Sequence, residues 1–332
     1  MRATVLLPPI ARFAGLAGTT ARWVARGNRI ASDTPGRTAA LRACFQFIGM
    51  SLPVAALTRS IELDDRDDAQ WLRCDPAYLV ADAVTLRLLA CGDLALSMTD
   101  AEQLGETLKP LFGDAGFPLE ITRPDRWYLR CAREARLPKF SAPADALGDD
   151  LARHLPEGDN AVRWRGLINE AQITLTQHPL NARRAQSGLP PVNSVWPWGG
   201  GTLPDWVKSE FADVISDDEV AGALARRAGS GVQSMPADAD TAILAACIAG
   251  WAKRDADNAH RADRAILIDL AGRRDISHLD RTWLAEADIA LKKRTFAQVE
   301  LRFESGERVT LAPAHRWRVW RRVKALADQP FA

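Results

Sequence analysis

The sequence predicts a mixed-sheet α/β fold, with helices flanking a β-sheet that combines single apolar strands with hairpins. Three observations carry this. Short apolar runs such as Ala265 to Leu270 (AILIDL) read as central strands. Alternating runs joined by tight turns read as hairpins; the clearest has Val299, Leu301 and Phe303 before Ser305-Gly306, with Val309 and Leu311 after it. Between these lie segments whose apolar residues recur three and four apart, the spacing of a helix with one buried face.

Taken in order, Val5 to Leu7 reads as a first strand that runs into Pro8-Pro9. Gly36 to Phe47 has helical spacing through Leu41, Cys44, Phe45 and Ile48. Val84 to Cys91 reads as a buried strand. Thr99-Asp-Ala-Glu102 is a capping box for a helix with Leu104, Leu108 and Leu111 on its apolar face. Leu119 to Thr122 and Trp127 to Cys131 flank Pro124-Asp125 as a hairpin. Residues 138–156, rich in Pro, Ala, Gly and Asp, form the expected linker between an N-terminal part (1–140) and a C-terminal part (157–332), unless both belong to one continuous domain. Asp159 or Asn160 then caps a helix with Trp164, Leu167, Ile168, Ala171 and Leu175 on one face. His178-Pro179 ends it, because the residue before proline is driven from helical geometry. Val195 to Trp198 is a short strand leading into three glycines, Asp240 to Trp251 a buried helix, and a helix around Trp317 and Trp320 closes the chain.

Composition narrows the function classes. The 332 residues are 47% hydrophobic and 26% charged, with a net charge of +1, which is globular composition. A nucleic-acid binder shows a basic excess that is missing here, so no nucleic-acid partner is expected. The five cysteines are scattered, without a C-x-x-C pair, and read as buried thiols in a reducing compartment. The most apolar stretch falls short of the ~20 residues that span a bilayer, so no membrane partner is expected and the expected location is cytoplasmic.

The densest polar motif is His178-Pro-Leu-Asn181-x-x-Arg184-x-x-x-Gly188-Leu-Pro-Pro-Val-Asn193-x-Val-Trp196-Pro-Trp198-Gly199-Gly200-Gly201. It reads as a loop between a helix and a strand, and loops on a rigid scaffold are where binding groups sit. Asn181 and Asn193 can donate and accept, Arg184 offers a fork for carboxylate or phosphate, and His178 titrates near neutrality. The N–H groups of Gly199, Gly200 and Gly201 can form an anion-binding nest. With Trp198 these are the candidate ligand-binding residues. The alternative is that the polar side chains satisfy loop carbonyls and the glycines make a tight crossing. The glycine run lacks both the dinucleotide fingerprint and the Lys-Ser/Thr of a P-loop.

This motif resembles the H-P-x-N-x-x-R stretch of archaeal-type, cofactor-independent phosphoglycerate mutases. It is closer still to RpfE-type regulatory proteins, which Trp71-Leu-Arg-Cys-Asp75-Pro76, Arg126-Trp127-Tyr128-Leu129, Asn169-Glu170-x-Gln172 and Arg316-Trp317-Arg318-x-Trp320-Arg321-Arg322 also resemble. The resemblance implies a degenerate alkaline-phosphatase-like core. The mutases of that superfamily use two divalent metals with a Ser or Thr phosphate carrier, and need an aspartate after the first strand. Here Pro8-Pro9 follows instead, so neither metal nor cofactor is expected.

Asp255-x-Asp257-x-x-His260-x-x-Asp263 could share a helical face and bind a cation, but Lys253, Arg254, Arg261 and Arg264 favour a solvated connector. Asp269 reads as an active-site group at a strand end or a buried capping carboxylate. Asp64 to Asp68 reads as an acidic turn. Trp317, Trp320 and Val323 recur every three residues and are expected to dock on the core while the arginines stay solvated. The expectation is therefore a non-catalytic, mutase-like protein that binds a small anionic ligand or a protein partner in a regulatory role. The alternatives are an active metal-dependent phosphomutase or phosphatase using Asp257, His260 and Asp263, and an interaction module presenting Trp196, Trp198 and Trp206.

Overall fold

A computed structural model describes residues 1–16, 18–49, 51–64, 67–82, 85–236, 241–257 and 265–323. The chain forms two compact units: Met1–Ile48 together with Asp205–Ala332, and Gly49–Pro204 between them in sequence. The crossings at 48/49 and 204/205 differ from the linker expected at 138–156. That stretch belongs wholly to the inner unit, where its backbone bridges Leu88 to Leu147, Arg87 to Asp150 and Lys139 to Glu157. Proline, glycine and aspartate there mark turns within one core.

The outer unit begins with β1 (Arg2–Leu7), α1 (Thr19–Arg26), β2 (Asn28–Ile30), α2 (Arg37–Cys44) and β3 (Phe45–Phe47). The helix expected over Gly36 to Phe47 stops at Cys44. Phe45 and Phe47 then alternate inward as a strand, leaving Ile48 exposed.

The inner unit holds α3 (Val54–Glu62), β4 (Gln70–Ala81), β5 (Leu86–Cys91), α4 (Met98–Asp114), β6 (Leu119–Arg123), β7 (Arg126–Cys131), α5 (Pro143–Ala146), α6 (Ala161–Thr176), α7 (Pro179–Gln186) and β8 (Ser194–Thr202). Its sheet is antiparallel, ordered β5-β4-β7-β6, with β8 also paired to β4. The β6–β7 hairpin lies where the sequence places it. β5 is partly exposed, with Leu88 its fully buried residue, so it is not the buried strand expected. α4 starts one residue before the predicted capping box, with Ser97 Oγ accepting the N–H of Asp100. Trp164, Leu167, Ala171 and Leu175 of α6 pack on Leu104, Leu108 and Phe112 of α4.

The outer unit resumes with β9 (Val207–Ser209), β10 (Phe211–Ile215), α8 (Glu219–Arg227), β11 (Gly231–Gln233), α9 (Thr241–Asp257), β12 (Ala265–Asp269), α10 (Ile276–Leu279), α11 (Ala285–Lys292), β13 (Gln298–Phe303) and β14 (Arg308–Leu311). Its seven-stranded sheet runs β11-β10-β12-β1-β13-β14-β2, with β11, β10, β12, β1 and β13 parallel and β14 antiparallel to both neighbours. β1 and β12 are buried along nearly all their length, as parallel strands covered on both faces must be. Ala265 to Asp269 is central, as its apolar run predicts. The hairpin over 298–311 also forms, with Val299 opposite Leu311 and Leu301 opposite Val309. β3 and β9 make a separate two-stranded ribbon.

The C-terminus departs from expectation. One 3-10 turn, Pro313–Trp317, replaces the expected helix, and Trp317, Trp320 and Val323 are 66%, 72% and 41% exposed. The arginines dock instead: Arg318 donates to the carbonyl of Arg26 and Asn28 Oδ1, and Arg321 donates to the carbonyl of Gly27. Guanidinium groups that meet orphan carbonyls after α1 outcompete the apolar spacing.

Candidate functional site

In the outer unit, β10, β12 and β13 run parallel and finish at one edge of the sheet. Leu6 pairs with Asp269 and Leu7 with Phe303, so the residues that follow these strands converge there. The carboxyl edge of a parallel sheet is where α/β proteins place their ligands, because the loops leaving the strands diverge around a crevice. Asp269 ends β12, Ser216 follows β10, and Glu304 follows β13.

Arg37, the first residue of α2, reaches into this edge. Two backbone bonds bring it there: Gly36 donates to the carbonyl of Glu304 (2.7 Å) and Asp33 to that of Gly306 (2.8 Å). Gly306 has φ +103°, and a Cβ on it would lie 2.4 Å from the Asp33 carbonyl oxygen, so the crossing requires glycine. Arg37 grips Asp269 with a two-pronged bond, Nη1 to Oδ1 (2.9 Å) and Nη2 to Oδ2 (2.5 Å). Ser216 Oγ donates to Asp269 Oδ2 (2.8 Å), and the Ala271 N–H donates to Oδ1 (3.3 Å). Asp218 Oδ2 lies 3.0 Å from Arg37 Nη2, and Glu304 Oε1 lies 3.9 Å from Nε. One guanidinium thus sits among three carboxylates.

Burial alone would lower the Arg37 pKa, but the hydrogen bonds and charges of Asp269 and Asp218 carry it above its ordinary value, so it stays charged. Burial raises the Glu304 carboxyl above its ordinary range, with Arg37 opposing and Asp269 reinforcing. Beside the cluster, Arg273 pairs with Asp217 (3.5 Å). A concavity of about 180 Å³ there is lined by Pro236, Arg273, Arg274, Asp275, His278, Leu279 and Trp283.

This donor set does not fit a two-metal centre. The central carboxylate has both oxygens bonded to a guanidinium, and a fixed positive charge lies among the acids. Among the described residues, no group of three or more His, Cys, Asp or Glu is placed to hold a metal. The Asp255–Asp263 cluster falls outside what can be described: residues 258–264, including His260 and Asp263, lie beyond the described residues, as do the side chains of Asp255 and Asp257.

The residues first singled out lie in the inner unit, and the sequence is less of a loop than expected. Pro179 opens α7, with His178 as its N-cap accepting the Leu180 N–H at Nδ1 (3.2 Å), and the glycines belong to β8. Burial and Arg183 lower the His178 pKa, which suits a neutral, accepting ring. Asn181 Nδ2 donates to the carbonyls of Leu175 and Val192, and its Oδ1 accepts the Val192 N–H. Asn193 exchanges two bonds of 2.8 Å with the backbone of Leu79. Arg184 is buried and donates to the carbonyls of Pro190, Ala95 and Leu94. Trp198 Nε1 donates to Asp75 Oδ2 (2.7 Å), inside a network where Asp75 also takes two bonds from Arg73. A Cβ on Gly199 would meet Val54 Cβ at 2.8 Å, and one on Gly201 would meet Pro53 Cβ at 2.7 Å. The glycines therefore let β8 pass close to the start of α3. This geometry matches the tight-crossing alternative: each polar side chain has a partner within the unit.

Trp196 is buried and donates to the Ser141 carbonyl, and Trp198 is half-buried. These two do not form the exposed anchor expected of an interaction module; Trp206, 41% exposed, belongs to the outer unit. Sequence reasoning weighed Asp269 but missed Arg37, Ser216, Asp218 and Glu304. One signal was available. Phe211 to Ile215 is a second mostly apolar run, interrupted by Asp213, and it empties into Ser216-Asp217-Asp218 just as the later run ends at Asp269.

The fold and this edge define a mixed α/β protein whose carboxyl-edge crevice holds an internally paired acid. No family model matches the chain. It is 42% identical over 167 residues to a "probable 2,3-bisphosphoglycerate-independent phosphoglycerate mutase" of Geobacter sulfurreducens, covering 49% of this chain and 40% of the relative. It is 40% identical over 109 residues to the 2,3-bisphosphoglycerate-independent phosphoglycerate mutase of Methanothrix thermoacetophila, covering 33% of this chain and 27% of that one. The chain thus spans less than half the length of the curated relatives it matches. A solved cofactor-independent phosphoglycerate mutase from Thermoplasma acidophilum aligns over 94% of this chain and 89% of its own at 15% identity, with a TM-score of 0.42.

Proposed function

We propose that this chain is a phosphoglycerate-mutase-like protein that binds a small phosphorylated acid at the carboxyl edge of its outer sheet without metal-dependent phosphoryl transfer, in a regulatory role of the RpfE type. The observation that carries the reading is Arg37 bonded through both prongs to Asp269, with Asp218 against the same guanidinium. A carboxylate so engaged has no free pair of oxygens for a cation, and a fixed charge there repels one. Arg273, Arg274 and His278 around the adjacent concavity supply donors suited to a phosphate or carboxylate.

The test is a calorimetric titration of the full chain with 3-phosphoglycerate, beside a mutase assay with Mn²⁺. The reading expects saturable binding that Arg273→Gln with Arg274→Gln weakens at least tenfold, and no turnover. Turnover above background would overturn it, and an Asn193→Ala variant that abolished binding would return the site to the inner unit. The active phosphomutase alternative draws support from the mutases to which the chain is similar. It predicts turnover that is lost in His260→Ala.

A further inference from the structure

A second concavity, of about 260 Å³, lies at the other edge of the outer sheet. Leu311 and Ala312 line it, and Leu311 pairs with Val299 near the amino end of β13, whereas Glu304 follows the carboxyl end of the same strand. Trp23, Leu291, Leu311 and Pro313 give it an apolar wall. Arg22, Arg26, Lys292 and Arg316 bring four basic side chains, and one carboxylate, Asp288, faces them.

That carboxylate is already committed. Asp288 accepts from Trp23 Nε1 (2.8 Å) and lies 3.4 Å from Arg22 Nη2 and 2.7 Å from Lys292 Nζ. Among the described residues, no carboxylate pairs with Arg26 or Arg316. Among these residues Arg26 meets a long bond from Nη1 to the Arg316 carbonyl (3.3 Å), and Arg316 stacks on Trp317 at 4.8 Å. Arg26 Nε is buried without a hydrogen-bond partner, a state that costs free energy unless something supplies an acceptor. Arg26 and Lys292 end their helices, where a cation complements the helix dipole. That explains their positions but not the orphan donor or the charge that, among the described residues, no carboxylate compensates.

We propose that this concavity is a binding site for a small phosphate monoester, whose anionic group sits between Arg26 and Arg316 and whose apolar body lies on Leu291, Leu311 and Pro313. Its place at the amino edge separates it from the carboxyl-edge crevice, so it is a second site, independent of the first. A few convergent donors over an apolar wall are the ordinary makeup of a small-molecule pocket.

The test uses the full-length protein and phenyl phosphate, with inorganic phosphate and benzyl alcohol as partial probes, read by calorimetry. One-to-one binding of phenyl phosphate is expected, at least tenfold tighter than inorganic phosphate, with benzyl alcohol not binding. Arg26→Gln with Arg316→Gln should weaken it at least tenfold while leaving the melting temperature within a few degrees. Arg273→Gln with Arg274→Gln, at the carboxyl edge, should leave it unchanged. Binding lost in the carboxyl-edge pair and retained in the Arg26/Arg316 pair would overturn the proposal, as would failure of the intact protein to bind phenyl phosphate at millimolar concentration.

Discussion

At the scale of single residues, the chemistry concentrates in a few buried charges, and each gives a sharp expectation. Arg37→Ala would leave Asp269, nearly inaccessible, with a serine hydroxyl and one amide against its charge. Breaking a buried pair from one side costs about 3–5 kcal/mol. Urea unfolding should show a loss of that size, with Arg37→Lys recovering only part because an ammonium cannot bridge both oxygens. Glu304 gives the pH dependence. Burial raises its folded pKa above the unfolded value, so the folded state holds the proton more tightly. Its contribution is therefore fully present below the unfolded pKa and is lost as pH rises through the raised value. Glu304→Gln should accordingly flatten the stability profile above pH 4.5, the ordinary value, and match the parent below it; denaturant midpoints from pH 4 to 8 decide this. Burial also pushes the Cys44 and Cys131 thiols up to about 12, so both should resist a thiol reagent until the chain unfolds. Residue identity made Asp269 and three of the five thiols expected to be buried, Cys44, Cys74 and Cys131, legible in the sequence, whereas Cys91 and Cys247 are only half-buried. Arg37 was not legible, because its partners lie 181 to 267 positions away at strand ends whose order the sequence leaves open.

At the scale of elements, local rules held where one period dominated. The β13–β14 and β6–β7 hairpins, the run of β12 and the buried face of α6 all follow from alternation or helical spacing. They failed where tertiary contacts took over. α7 was hidden inside the apparent loop, although Pro179 at its first position is a recognised start signal and His178 caps it. The triple glycine, which the sequence allows as a nest or as a tight crossing, lies in a strand that passes close to the start of α3. This predicts that Gly199→Ala, at φ +65° with a Cβ 2.8 Å from Val54, destabilises by about 2–4 kcal/mol through overpacking and left-handed strain. A nest would instead show lost anion affinity at unchanged stability, so chemical denaturation and calorimetry on the same variant separate the two.

At the scale of the molecule, two cores decide how the chain folds. The outer core joins Val5, Leu7, Ile266, Ile268, Leu301 and Phe303 from strands far apart in sequence. The inner core joins Leu72, Leu104, Leu108, Trp127, Trp164 and Leu175, all between Gly49 and Pro204. Composition could not reveal this arrangement, because both units have strands and helices of the same character and the crossings carry no conspicuous linker. The inner unit is one continuous stretch with its own sheet and its own buried ion pair, Arg73 with Asp75. A polypeptide of residues 49–204 should therefore fold alone and unfold in one cooperative step. Within it, Asp75→Ala should cost about 3–5 kcal/mol by stranding the Arg73 charge beneath Trp198, whereas Arg73→Met with Asp75→Leu should cost far less. A disordered fragment would show that the inner core depends on the outer unit. A folded fragment that also bound 3-phosphoglycerate would move the anion site out of the carboxyl edge, because that edge is built wholly from residues the fragment lacks.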